Sequence, residues 1–253
     1  MVSYDEFYSS INLWDHPITE EEIQQLSEPE MESNLFELGT LGCLLPVHIN
    51  HEDLYYFLYK IRCALSSKEM FDCVNTQVSE MLSEPASLTE EEYKWLLYKA
   101  MSYEFYTIRN GENYYQLKEV ILQQCSGEEL FSKRILQLFC AFEQSLYYPC
   151  ACGALALIDG KLDAGANSSK TQFVTLLNEI VSNNVLTPSK IAIIPNLKGY
   201  LLSISKHADF LCGNEPCSLN RHWLMHGRDS RIIDRDDCIH LFNALEMILE
   251  LES

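Results

Sequence analysis

The chain of 253 residues contains few glycines and prolines and no long apolar segment. Its 10 glycines and 8 prolines form no short repeat, which excludes collagen-like, solenoid and low-complexity proteins. No apolar run approaches the roughly 20 residues that a membrane-spanning helix needs. The first residues, Met1-Val-Ser-Tyr-Asp-Glu6, lack the positive flank of a secretory signal. We therefore expect a cytoplasmic protein without membrane contact.

Basic residues are also scarce, since 18 Lys and Arg oppose 37 Asp and Glu, and the net charge is -19. Residues 1–59 contain no Lys or Arg at all. Such a charge repels nucleic acid at long range. However, four of the seven arginines lie within residues 221–235. This asymmetry suggests the hypothesis that residues 1–59 cover a basic site until a trigger moves them.

The cysteines and the known cofactor motifs predict neither a cofactor nor a metal. Without a secretory signal, the 10 cysteines are best interpreted as reduced thiols that fill the core. The chain has no phosphate-binding loop, no nucleophile elbow and no dinucleotide fingerprint. A zinc site is a distant alternative, built from Cys212, Cys217, His222 and His226. Its spacing lacks the roughly twelve residues that usually separate the two ligand pairs.

Apolar residues recur at helical spacing along most of the chain, and this predicts an all-α fold. Thr89-x-x-Glu92 and Asp234-x-x-Asp237 predict helix N-termini. Asn110-Gly111 predicts a break between two helices. Further predicted helices cover residues 54–65, 114–125, 128–160 (with a kink at Pro149), 171–185 and a segment that starts at Pro188.

The strength of the helical pattern divides the chain into two predicted regions. Residues 1–127 form an acidic, mostly helical N-terminal region. Residues 128–253 contain no convincing alternating strand and form a helical bundle of four to five helices.

The rarest reactive side chains concentrate between the last two long helices, in the segment Asn220-Arg221-His222-Trp-Leu-Met-His226-Gly227-Arg228. Gly227 suits a left-handed residue that closes a short helix, so His226 should stand at a helix C-terminus. Arg can hold a phosphate bidentately, and His can move a proton. Positions five apart on a helix diverge by about 140°. The two therefore share a site only if the turn is irregular, the arginine reaches around, or a second protomer contributes.

Arg221-x4-His226, late in a helical bundle and followed by a capped last helix, resembles the Arg-x(4–6)-His motif of HEPN domains. Many members of that family are metal-independent endoribonucleases of phage defence, abortive infection and toxin–antitoxin systems. The resemblance covers residues 128–253. It implies an RNA substrate, a homodimer with Arg221 and His226 at its twofold seam, and an antitoxin or regulatory protein as a further partner.

The resemblance also suggests supporting residues near the motif. Asn220 and His222 flank the arginine, although family members often carry Asn or another polar residue where His222 stands. An acidic residue from an earlier helix is expected as well, with Asp159 as the first candidate and Glu143 as the second. The remaining arginines of the cluster are candidates for guiding the RNA backbone: Arg228, Arg231 and Arg235.

In a second hypothesis, the chain is not an enzyme. In it, a HEPN-like helical module binds a partner protein or a nucleotide, and the nuclease has been lost. The strong negative charge favours this alternative, because it lowers non-specific affinity for RNA. The two hypotheses differ in whether Arg221 and His226 face a common, solvent-open cleft.

Overall fold

The computed structural model describes residues 28–45, 67–82, 87–163, 188–206 and 218–252, which form eight helices and no strand. The predicted all-α class is confirmed. The helices predicted over 54–65 and 171–185 lie outside the described residues. No described helix is both long and apolar enough to cross a bilayer. The helices are α1 (Glu28–Thr40), α2 (Lys68–Leu82), α3 (Glu90–Gln124), α4 (Glu129–Glu143), α5 (Tyr147–Asp163), α6 (Pro188–Ser205), α7 (Arg221–Met225) and α8 (Arg235–Glu252).

Reciprocal side-chain caps start two of the long helices, as predicted. At α3, the Glu92 amide donates to Thr89 Oγ1 at 3.2 Å, and the Thr89 amide donates to Glu92 Oε2 at 2.8 Å. At α8, the Asp237 amide donates to Asp234 Oδ1 at 3.0 Å, and the Asp234 amide donates to Asp237 Oδ2 at 3.1 Å. Each pair satisfies amides that the first helical turn leaves without a partner.

The predicted break at Asn110-Gly111 does not separate two helices, because α3 continues through it. Asn110 and Gly111 have φ angles of 57° and 80°, a left-handed conformation that Asn and Gly tolerate best. The side chain of Asn113 donates to the Phe105 carbonyl at 2.7 Å. This bond gives a partner to a carbonyl near the irregular turn. The helix then continues to Gln124.

The single long helix predicted over residues 128–160 is wrong, because α4 ends at Glu143 and α5 begins at Tyr147. Ser145, between them, has a left-handed φ of 58°. Pro149 then lies in the first turn of α5, where a missing amide breaks no intrahelical hydrogen bond. The sequence pattern could not reveal this, because Phe142 and Leu146 keep helical spacing across the turn.

The core crosses the predicted boundary at residue 127. Helix α8 packs on α3 and α5, and α4 packs on both as well. Phe242 of α8 contacts the rings of Phe139 and Phe142 from α4, and Leu117 and Ile121 of α3 belong to the same buried cluster. The second half of α3 therefore belongs to the C-terminal bundle, and its first half packs with α1 and α2.

Helix α1 is part of the core, which corrects the hypothesis that residues 1–59 form a removable cover. Leu35 and Leu44 are almost fully buried. Nδ1 of His240 lies 3.1 Å from both the amide and the carbonyl of Leu44, and Asn243 donates to that carbonyl at 3.1 Å. Residues 28–45 thus help to build the bundle. Of the first 59 residues, the ranges 1–27 and 46–59 lie outside the described residues.

Candidate functional site

The short helix α7 carries the predicted motif, and Asn220 fixes where it begins. Oδ1 of Asn220 accepts hydrogen bonds from the amides of His222 and Trp223 at 3.0 and 3.2 Å. Its Nδ2 donates to the Lys206 carbonyl at 3.0 Å, beyond the end of α6. Asn220 is buried, so this predicted supporting residue caps and anchors α7.

The other end of α7 closes as predicted. Gly227 has a left-handed φ of 62°, and His226 is the C-terminal cap residue. The Gly227 amide donates to the Leu224 carbonyl and the Arg228 amide donates to the Trp223 carbonyl, both at 3.0 Å. These two bonds are the Schellman arrangement. Tyr148 of α5 adds a hydrogen bond to the Leu224 carbonyl at 3.3 Å, so α7 is fixed at both ends.

Arg221 pairs with Asp159, which was the first choice for an acidic partner. Nε and Nη2 of Arg221 each lie 2.7 Å from Oδ2 of Asp159. The arginine side chain stays 43% exposed and the aspartate 24%. The pair therefore orients the guanidinium from α5 and leaves part of it in contact with solvent.

His226 takes a different neighbour. Its ring and the ring of His222 lie edge to face, with centroids 4.7 Å apart. His226 is exposed, whereas His222 is only partly exposed. The structure thus brings together Arg221 with Asp159 and His222 with His226. Both Arg221 and the two histidines belong to α7 and its cap, but Arg221 contacts α5 and the histidines contact each other.

The three remaining arginines of the cluster differ in their surroundings. Arg228 is exposed, directly after Gly227. Nη2 of Arg231 lies 3.2 Å from Asp237, and only 14% of the Arg231 side chain is exposed. Arg235 donates to the Tyr106 carbonyl at 3.4 Å, and its guanidinium lies over the rings of Tyr103 and Phe142. Arg231 and Arg235 therefore have structural contacts instead of the predicted open surface for RNA.

A buried ionic cluster between α3 and the start of α8 escaped the sequence analysis. Nζ of Lys99 lies 2.6 Å from Asp234 and 3.2 Å from Asp237. Burial and the negative charge of Asp237 raise the pKa of Asp234 to about 6. Burial alone would raise the pKa of Asp237, but Lys99 and Arg231 hold it well below its usual range. The capping motif predicted the two aspartates, yet nothing in the sequence pointed to Lys99.

A second buried pair lies one helical turn further along α8. Nε2 of His240 is 3.1 Å from Oδ2 of Asp236, and Ser102 donates to the other oxygen of Asp236 at 2.6 Å. Burial would lower the pKa of His240, but Asp236 raises it overall. Because these groups are buried among α3, α8 and the segment that follows α1, they hold these elements together and offer no surface to a substrate.

The other predicted ligands lie apart from the motif. Glu143 accepts hydrogen bonds from Tyr114 at 3.2 Å and from Lys118 at 2.5 Å, so the second acidic candidate belongs to a contact between α3 and α4. Cys212 and Cys217 of the zinc alternative lie outside the described residues. Within the described ranges, no three His, Cys, Asp or Glu side chains are arranged to hold a metal.

No protein-family model, no curated protein and no solved structure matches this chain. The HEPN resemblance therefore continues to rest on Arg221-x4-His226 and on its position late in a helical bundle. The chemistry of the site has to be argued from its side chains. They are an oriented, part-exposed guanidinium and an exposed imidazole at opposite ends of one capped turn.

Proposed function

We propose that the chain is a metal-independent endoribonuclease that acts as a homodimer. The observation that carries this proposal is that Arg221, which is held by Asp159 of α5, and the exposed His226 stand at opposite ends of the same short, doubly capped helix. The resemblance to HEPN domains extends the proposal to a bacterial defence or stress system, of the abortive-infection or toxin type, with an antitoxin or regulatory protein as partner.

The proposed reaction uses a 2′-hydroxyl of RNA as the nucleophile. The hydroxyl oxygen attacks the adjacent phosphorus while its proton passes to a base, and the 5′-oxygen leaves with a proton from an acid. His226 would be one of these proton carriers, which contributes about 10²–10⁴-fold to the rate. The exposed edge of Arg221 would bind a phosphate oxygen and offset its charge. Arg228 would contact the RNA backbone nearby.

A second copy of the chain accounts for the separation of the two side chains. Arg221 contacts α5, whereas His226 contacts His222, and Arg221 and His226 stand five positions apart. Two copies of α7 that meet about a twofold axis would bring the arginine of one copy to the histidine of the other. Mixing inactive Arg221→Ala and His226→Ala subunits should then restore part of the activity, because mixed dimers contain one intact site.

Cleavage of RNA without metal tests the proposal. Purified wild type, Arg221→Ala and His226→Ala proteins are incubated with mixed total RNA in EDTA. We expect the wild type to cleave and both variants to lose at least about 100-fold in rate while they stay folded and dimeric. Cleavage that survives both substitutions would contradict the proposed roles.

The N-terminal segment enters the same assay as a regulatory hypothesis. Since residues 28–45 contribute buried side chains such as Leu35 and Leu44, a deletion that tests masking has to stop at residue 27. Loss of residues 1–27 should raise cleavage or RNA affinity if this acidic segment covers the site. An unchanged or weaker variant would discard the hypothesis.

The alternative is a non-catalytic module that binds a partner protein or nucleotide. Two observations favour it: Asp159 already neutralises Arg221, and the net charge of -19 opposes RNA. If both the full chain and the chain lacking residues 1–27 leave RNA intact, the alternative replaces the nuclease. A nucleotide that protects the full chain against thermal unfolding would then identify the ligand class.

A further inference from the structure

His240 of α8 meets both backbone groups of one buried residue, Leu44, in the segment that follows α1. The Leu44 amide donates to Nδ1 of His240 at 3.1 Å, and the Leu44 carbonyl oxygen lies 3.1 Å from the same nitrogen. A ring nitrogen either carries a hydrogen or offers a lone pair, so it can serve only one of these two groups at a time. Which group Nδ1 serves therefore depends on the protonation of the ring.

Asp236 determines where the neutral ring carries its hydrogen. Its Oδ2 lies 3.1 Å from Nε2 of His240, and Ser102 donates to its Oδ1 at 2.6 Å. Because a carboxylate only accepts hydrogen bonds, the neutral ring keeps its hydrogen on Nε2, and Nδ1 accepts from the Leu44 amide. In the imidazolium, Nδ1 also carries a hydrogen and can donate only to the Leu44 carbonyl.

The Leu44 carbonyl has a donor that does not titrate. The Tyr106 hydroxyl donates to Oδ1 of Asn243 at 2.6 Å, and this turns Nδ2 of Asn243 toward the Leu44 carbonyl at 3.1 Å. The carbonyl oxygen has two lone pairs, so it accepts from Asn243 whether or not His240 also donates to it. Protonation of His240 therefore takes the acceptor from the Leu44 amide and gives the carbonyl a second donor.

The residues on either side of Leu44 are held by a neutral side chain of α6. Asn196 is fully buried. Its Oδ1 accepts from the Leu45 amide at 2.8 Å, and its Nδ2 donates to the Cys43 carbonyl at 2.9 Å. Because an amide side chain does not titrate, these bonds persist when the pH changes. A change at His240 is thus confined to the peptide groups of Leu44.

We propose that His240 is a proton-dependent switch in the contact between residues 43–45 and α8: the neutral ring accepts from the Leu44 amide, and the imidazolium donates to the Leu44 carbonyl. The switch is independent of the proposed ribonuclease function. Burial lowers the pKa of His240, but Asp236 and the Leu44 carbonyl raise it above its usual value. The exchange of partners therefore falls near neutral pH.

The other ionisable groups that face His240 come from each element packed against it. Besides Asp236 on its own helix, Lys99 of α3 opposes protonation of the ring through its positive charge. Tyr200 of α6 lies with its ring centroid 6.3 Å from that of His240, and Cys43 belongs to the segment after α1. Burial raises the pKa of both Tyr200 and Cys43, so they stay neutral while the imidazole titrates.

An NMR titration of the full, unaltered chain from about pH 5 to about pH 9 tests the switch. As the pH falls through the midpoint of the His240 ring, the Leu44 amide proton should shift upfield, because it loses its hydrogen bond. The Leu44 carbonyl carbon should shift downfield with the same midpoint, because it gains a charged donor. The Leu45 amide is the internal control, since its acceptor on Asn196 does not titrate.

Three results of this titration would overturn the proposal. The Leu44 resonances could stay constant while the His240 ring titrates. The ring could fail to titrate anywhere in this range. The Leu45 amide could shift as far as the Leu44 amide, which would indicate a general change of the segment instead of an exchange of partners at His240.

Two carboxylate variants separate His240 from its surroundings. Asp236→Asn removes the charge that stabilises the imidazolium, so the midpoint of the ring should fall by at least about one pH unit and the Leu44 midpoint should fall with it. Asp234→Asn is the matched control, because Asp234 also titrates near pH 6 but pairs with Lys99. In it, the Leu44 resonances should still follow the ring. A Leu44 transition that vanishes in Asp234→Asn, or that stays fixed while the His240 midpoint moves, refutes the switch.

Discussion

Two nitrogens of Arg221, Nε and Nη2, lie 2.7 Å from the same carboxylate oxygen of Asp159, on a helix 62 residues earlier in the chain. Partly exposed ion pairs of this kind contribute only about 0–1 kcal/mol to stability. The main effect of the pair is therefore to orient Arg221. Asp159 holds one edge of the guanidinium, and the rest of it faces solvent. The first prediction follows from this geometry.

Asp159→Asn should raise RNA affinity a few-fold and lower the cleavage rate. The amide keeps the shape of the carboxylate but removes the charge that competes with phosphate for Arg221. It also holds the guanidinium less firmly, and a loss of orientation of this kind costs up to about 100-fold in rate. RNA binding by fluorescence anisotropy and cleavage in EDTA measure the two effects separately.

Glu143→Gln is the control for charge alone. Its carboxylate also binds a cation, Lys118, but it lies between α3 and α4 and makes no contact with Arg221. If Glu143→Gln changes RNA affinity as much as Asp159→Asn does, the effect is one of net charge, and the proposed role of Asp159 is wrong.

The second prediction concerns Lys99, whose ammonium group neutralises Asp234 and Asp237 in the interior. Lys99→Met should lower the free energy of unfolding by about 3–5 kcal/mol, because the buried Asp234 loses its ion pair and Asp237 keeps only Arg231. Lys133→Met removes an ion pair with Glu129 whose side chains are 66% and 84% exposed, and it should cost less than about 1 kcal/mol. Urea denaturation compares the two. If the two substitutions lower the free energy of unfolding equally, the buried cluster contributes no more to stability than the exposed pair.

The third prediction concerns the crossing of α1 and α6, where Gly39 and Gly199 let two backbones touch. A Cβ atom at Gly39 would stand 2.1 Å from the Asn196 carbonyl oxygen. Since backbone cannot move aside as a side chain can, Gly39→Ala should destabilise by about 1–3 kcal/mol or more.

Gly160 provides the matched control, because a Cβ atom there meets nothing within 4 Å. Within α5, Gly160→Ala should stabilise by about 0.5–1 kcal/mol through its higher helix propensity. Both alanine variants are measured by chemical denaturation. A Gly39→Ala protein as stable as the wild type would contradict the close packing of α1 on α6.

The fourth prediction is a fall in stability as the pH rises through about 6. The folded pKa of Asp234 is raised to about 6 by burial and by Asp237, and that of His240 is raised because Asp236 outweighs burial. A group whose pKa is raised on folding stabilises below its unfolded pKa and loses that contribution as the pH passes its folded pKa. Both groups therefore act in the same direction between about pH 5 and pH 8.

Urea denaturation across that range measures the slope. The charged groups near Asp234 and His240 include Asp236 and Lys99. They also include Arg231, whose pKa is raised despite its burial by Asp237, Asp229 and Asp234, and Asp237, whose lowered pKa confines its titration to acid below this window. His240→Gln should reduce the slope. A free energy of unfolding that rises steadily from pH 5 to pH 8 would contradict the prediction.

Local signals in the sequence predicted the helix ends well. Thr89 with Glu92 and Asp234 with Asp237 cap as expected, and Gly227 closes α7. Each of these features depends on residues within a few positions of one another. The turn at Ser145 was missed because serine carries no strong preference for a left-handed conformation, and apolar spacing continued across it.

Long-range contacts could not be predicted in the same way. Leu44 and His240 are 196 residues apart, and nothing local shows that a helix histidine receives a distant peptide group. The sequence offered Asp159 and Glu143 as acidic candidates but contained no signal for which helix packs on α7. The structure brings Asp159 to Arg221 through the packing of α5 on α7. The arginine cluster looked uniform in sequence, yet burial separates Arg231 from Arg228.

The most direct test of the central claim compares an RNA oligonucleotide with its DNA counterpart of the same sequence, in EDTA, with wild type and His226→Ala. The account predicts that the wild type cuts RNA and spares DNA, because the proposed nucleophile is the 2′-hydroxyl. His226→Ala should cut RNA at least about 100-fold more slowly. DNA cut as fast as RNA, or RNA cut equally fast by both proteins, would contradict the claim.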